Sequence, residues 1–96
     1  MDFFKINLIV EELEMLENNL FVARNTKDKR SRSKNIREAT SKISDFANTL
    51  PSEVLDYLSV TVGVNPLNYQ HAENDIGRSI EVLKGWRTQL QCANID

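Results

Sequence analysis

Phe3-Phe4-Lys5-Ile6-Asn7-Leu8-Ile9-Val10-Glu11-Glu12-Leu13-Glu14-Met15-Leu16-Glu17-Asn18-Asn19-Leu20-Phe21-Val22-Ala23-Arg24 lies within a run of fifty residues that holds neither glycine nor proline. A stretch so free of backbone breakers is most simply helical. Within it Ile6, Ile9, Leu13, Leu16, Leu20 and Ala23 recur at steps of three and four, which places them on one stripe of an amphipathic helix. Ile36, Ala39, Ile43, Phe46 and Leu50 repeat the pattern. The sixteen residues from Leu20 to Ile36 correspond to a rotation of roughly 160° in a continuous helix, so the two stripes would lie on opposite sides of one rod. A break between them, folding the chain into an antiparallel hairpin, lets both stripes share one core.

The position of that break is open on the sequence alone. Asn35 followed by Glu38 has the spacing of a capping box and starts the second helix near residue 35, leaving residues 25–35 as a polar connector. Thr26 and Asp28 offer a competing, earlier start. Pro51 closes the second helix, since proline lacks the amide and disfavours helical geometry in the residue before it. A short third helix over about 51–60 offers Val54, Leu55 and Leu58 for packing. The β-prone run Val60-Thr61-Val62-Gly63-Val64 has no recognisable partner strand and reads as a helix end and extended connector. After the turn signature Asn65-Pro66-Leu67-Asn68, the spacing of Ala72, Ile76, Ile80, Leu83, Trp86 and Leu90 gives a last helix over about 70–91. Gly77 and Gly85 inside it either admit another backbone closely or are simply tolerated.

The expected fold is therefore all-α, a small bundle of three or four helices led by an antiparallel helical hairpin and forming one domain over residues 1–96. Composition agrees with this. A chain of 96 residues with 41% apolar and 27% charged side chains has the makings of one globular core with little margin, so an oligomer or a partner is in keeping with its size. Cys92 is the single cysteine, which excludes an internal disulfide and multi-cysteine zinc sites. The apolar N-terminus is interrupted by Lys5 and Asn7 and followed at once by Glu11, Glu12 and Glu14, unlike a signal peptide. No apolar run approaches a bilayer span, so the reading is of a cytoplasmic protein without a membrane partner.

The net charge of −2 hides a sharp pattern. Residues 1–23 sum to −4, residues 24–37 to +6 and residues 38–96 to −4. The basic segment holds Arg24, Lys27, Lys29, Arg30, Arg32, Lys34 and Arg37, seven of the twelve cations. Lys29, Arg30, Arg32 and Lys34 fall at or before the start of the second helix, where the helix dipole favours anions, so helix stability does not account for them. Three roles compete: a docking arm for an acidic protein surface, a contact for nucleic-acid phosphates, or a solvated connector. Against nucleic acid, no aromatic lies in the segment to stack on bases and the rest of the chain is acidic.

Catalytic constellations are thin. His71 is the single histidine, and His71-Ala72-Glu73 lacks the downstream cysteine pair of a zinc deaminase. Cys92 has no activating neighbour in sequence, and Gly63, Gly77 and Gly85 are too isolated to form a phosphate loop. Neither a metal nor another cofactor is expected, and the chain does not read as an enzyme. More informative is the surplus of apolar residues on the first helix: Leu8, Met15 and Val22 form a sevenfold row off its main stripe, with Phe3, Phe4, Val10 and Phe21 adding to it. A helix apolar on several sides either lies at the centre of the monomer or is covered by another chain. Leu8, Met15, Phe21, Val22 and Trp86 are accordingly the candidate apolar interface residues. The resulting expectation is a non-enzymatic adaptor, regulator or inhibitor that docks on a protein through apolar helix faces and the basic segment, as a homo-oligomer or on a hetero-partner. Accessory nucleic-acid binding is the alternative, and a small-anion receptor between protomers a more distant one.

Overall fold

The computed structural model describes residues 3–69 and 75–93. The chain is all-α, running α1 (Phe3–Arg24), α2 (Lys29–Thr49), α3 (Ser52–Thr61), a 3-10 turn at Pro66–Asn68 and α4 (Ile76–Ala93). Helices α1 and α2 pack as the expected hairpin, and α4 packs along α1. Helix α3 leans on α4 and on the 3-10 turn. No helix among the described residues is long and apolar enough to cross a membrane.

The break between the helices is shorter than the connector expected over residues 25–35, because α2 begins at Lys29. Asp28 is its cap: one carboxylate oxygen accepts from the Ser31 amide at 3.0 Å and from the Ser31 hydroxyl at 2.8 Å. This satisfies an amide that the first helical turn cannot pair internally. These hydrogen bonds, side chain first and backbone second, hold the Asp28 carboxyl below the ordinary aspartate value. Asn35, the other candidate cap, lies inside α2 and spans the hairpin instead, its amide donating to Thr26 Oγ1 at 3.3 Å. The turn is tightened further where Asn25 and Thr26 donate to the carbonyls of Phe21 and Val22.

Both apolar stripes face the core, except that Val10, expected among the surplus apolar residues of α1, is buried while Ile9 is only partly so. Ile6, Leu13, Leu16, Leu20 and Ala23 of α1 are buried with Ala39, Ile43 and Phe46 of α2 and with Leu83, Trp86 and Leu90 of α4. At roughly 25 cal/mol per Å² of apolar surface, this common cluster is the dominant stabilising contribution. Trp86 is fully enclosed, so it belongs to the core and not to an interface as its size suggested. Its indole N–H donates to the Val64 carbonyl at 3.0 Å, and its ring meets Tyr69 edge to face at 5.8 Å. A bulky side chain with one polar atom is thus satisfied by the connector that the β-prone run forms. Helix α3 ends where Gly63 takes φ +80, the left-handed conformation that favours glycine after a helix.

The start of α4 at Ile76 follows a cap by Asp75, which accepts from the Arg78 amide at 3.0 Å. The first five residues of the helix expected over 70–91, His71 among them, lie outside the described residues. Ser79 is the one buried polar side chain among those described, and it is satisfied: its hydroxyl donates to the Asp75 carbonyl at 2.9 Å and pairs with the Tyr69 hydroxyl at 3.0 Å. Neither Gly77 nor Gly85 is needed for close packing. A Cβ at Gly85 would stand 3.5 Å from Val62 Cγ1, and one at Gly77 3.7 Å from Asp75 Oδ1, both ordinary contacts.

Candidate functional site

Helix α1 has two sides built for different surroundings. Its main stripe faces the core, whereas Leu8, Met15 and Val22 point outward with Phe4 and Phe21, all between 50 and 69% exposed. At 100° per residue, Phe4, Leu8, Met15 and Val22 fall within about 40° of one line along the helix, almost opposite Leu13 and Leu20. Single exposed apolar residues are ordinary, but a row of them along one helix is a surface prepared for contact. Glu11, Glu12 and Glu14 are exposed near the middle of α1. Phe21 lies further round and carries the Arg24 guanidinium over its ring at 5.5 Å.

Shallow grooves run on both sides of the row. Toward α2, Asn19, Val22, Ala23, Asn35, Glu38, Ala39 and Lys42 line one of about 260 Å³. Toward α4, Glu14, Glu17, Asn18, Phe21, Ile80 and Arg87 line one of about 460 Å³. The second groove is floored by a pair joining the two helices, Arg87 to Glu17 at 2.6 Å, which raises the guanidinium pKa still further.

The early start of α2 changes what the basic segment is. Lys29, Arg30, Arg32, Lys34 and Arg37 stand on a helix and not on a connector, and of the seven cations only Lys27 lies in the turn. Arg30, Lys34 and Arg37 follow at i, i+4 and i+7, which aligns them on the side of α2 opposite Ala39 and Phe46. Arg32 is half-buried, and Arg24 turns away toward α3 and α4. No carboxylate among the described residues is within ion-pairing distance of the exposed stripe.

One further surface has no counterpart in the sequence reading. A groove of about 890 Å³ passes between the end of α3 and α4, where Arg24, Arg78 and Lys84 stand with Glu81 beside Gly77 and Gly85. Its components are far apart in sequence; the two glycines were the nearest local signal. Val60, 85% exposed, precedes on α3 the groove-lining Thr61. Cys92 is exposed on α4, and among the described residues no three His, Cys, Asp or Glu side chains converge as a metal shell would. The chain matches no known protein family, no curated protein and no solved structure.

Proposed function

We propose that the protein is a non-enzymatic interaction module, an adaptor, regulator or inhibitor acting in the cytoplasm, which docks on a protein through the outward face of α1. The exposed row Leu8, Met15 and Val22 carries this reading, since α1 already buries a full apolar stripe in the core and these residues add nothing to it. The basic end of the hairpin supplies orientation and encounter rate more than affinity. Lys29 and Arg30 occupy the positive end of the α2 dipole, where they oppose helix stability, which supports a role outside the monomer. Capture from the source cell with wild type, with Met15→Arg and with an α2 variant neutralised at Arg30, Lys34 and Arg37 tests this. Loss of the same captured protein in Met15→Arg is expected; its full retention in a folded Met15→Arg overturns the reading.

A second reading, phosphate binding by nucleic acid, is favoured by the alignment of Arg30, Lys34 and Arg37 alone. It requires duplex or single-stranded DNA binding that collapses between low and moderate salt and disappears with these three cations.

A further inference from the structure

We propose that the groove between the end of α3 and the outer side of α4 holds an extended acidic segment of a protein partner, with carboxylates three residues apart seated on Arg78 and Lys84. The site is separate from the outward face of α1 and does not depend on what that face binds. Its floor is α4 itself. At 100° per residue Glu81 lies about 140 to 160° from the core residues Leu83 and Trp86, so it stands exposed on the side away from the core. Arg78 and Lys84, three residues before and after Glu81, fall about 60° to either side and flank it along both edges.

Charge selects the sign of the occupant. Arg24, Arg78 and Lys84 line the groove against the one carboxylate of Glu81, in a chain whose net charge is −2. Arg24 is held there over the Phe21 ring. Among the described residues no carboxylate lies within ion-pairing distance of these three cations. The local excess of positive charge is therefore open to an anionic partner. A run of phosphates is disfavoured, because Glu81 stands on the floor and no aromatic side chain lines the groove to stack on bases. A small anion is disfavoured too, since the groove is an open trough and a small-ligand pocket encloses most of its ligand.

Spacing selects the form. Arg78 and Lys84 are six residues apart, about 9 Å along the axis of α4. An extended chain covers this in about three residues at roughly 3.3 Å each, and side chains an odd number of residues apart point to opposite sides. Carboxylates at i and i+3 thus reach Arg78 on one edge and Lys84 on the other. The backbone between them passes over Glu81, which accepts from one of its amides. Gly77 and Gly85 gain a role that packing within the monomer does not give them. Both line the groove, and neither sets a side chain between α4 and the passing backbone. From Gly77 to Gln89 the floor runs about 18 Å, room for five or six extended residues.

Two blocked peptides of equal composition test this, acetyl-Ala-Glu-Ala-Ala-Glu-Ala-amide and acetyl-Ala-Glu-Ala-Glu-Ala-Ala-amide, titrated into isotope-labelled protein and read by amide chemical shifts. The first, with its glutamates three apart, is expected to shift the amides of Gly77, Glu81 and Gly85. It binds about three- to fivefold more tightly than the second, the worth of one exposed ion pair. Binding weakens as salt rises from about 0.02 to 0.5 M. Arg78→Glu and Lys84→Glu each abolish the preference between the two peptides, whereas Met15→Arg leaves affinity and preference unchanged and so separates this site from the face of α1. Gly85→Ala lowers the affinity while raising Tm, the opposite of a glycine kept for stability. Absence of shifts at these amides up to about 5 mM peptide at low salt overturns the proposal. Equal affinity for the two peptides overturns it as well, as does tighter binding of an oligothymidylate at the same amides.

Discussion

Arg87 of α4 holds Glu17 of α1 with two nitrogens, Nε donating to Oε2 at 2.6 Å and Nη2 to Oε1 at 3.3 Å. The pair joins residues seventy positions apart and fixes the register of the two helices whose packing closes the core. Both side chains are mostly covered, at 21 and 16% exposure, so solvent screens them less than a surface pair. A double-mutant cycle with Glu17→Gln and Arg87→Gln, read by urea denaturation, is expected to give a coupling of about 1 kcal/mol. A coupling near zero would show the pair to be ornamental.

Gly85 lies inside α4 with ordinary van der Waals room for a methyl group. Gly85→Ala therefore raises stability by about 0.5 to 1 kcal/mol through helix propensity and reduced freedom of the unfolded chain. In calorimetry this is an upward shift of several degrees in Tm. A fall in Tm would mean that Val62 does not tolerate the added methyl.

Asp28 links pH to the hairpin. Its carboxyl is held below the ordinary value by the Ser31 hydroxyl and amide, so the folded state binds this proton less readily than the unfolded one. The resulting stabilisation is fully present above the ordinary aspartate value near 3.9 and is lost as pH falls through the lowered native value. Carbon-detected titration of Asp28 should give a midpoint below 3.9, with amide exchange at the start of α2 accelerating in the same range. Asp28→Asn keeps a capping oxygen and removes this pH dependence; a normal midpoint in the wild type would dismiss the cap as its cause.

Lys29 and Arg30 occupy the first turn of α2, which has no acidic residue of its own. Arg30→Glu is expected to stabilise the fold by about 0.5 kcal/mol through the helix dipole. The same change weakens the docking proposed above. Loss of both stability and docking together would instead mark Arg30 as structural.

The helical stripes were legible because burial in α1 and α2 follows a strict three-and-four spacing. The hairpin followed from the phase offset between Leu20 and Ile36. The beginning of α2 was not, because two caps competed locally and the choice was made by Ser31, which gives Asp28 two donors, and by Asn35, which is occupied with Thr26. The outward row Leu8, Met15 and Val22 was legible as surplus apolar surface. Trp86 was misplaced among the interface candidates since bulk and apolarity suit a core and an interface equally, and its enclosure depends on Val64 and Tyr69, which are distant in sequence. The groove beside Gly85 was invisible for the same reason.

The dependence of α1 on α4 bears on how the chain is made. Synthesis delivers the α1–α2 hairpin before α4, yet Leu13, Leu16 and Leu20 share their core with Leu83, Trp86 and Leu90, which emerge later. Until α4 arrives, α1 is apolar on its inner side as well as along its outer row, a nascent state prone to adhesion. Stalling before Ile76 thus leaves α1 with two apolar faces uncovered in place of one.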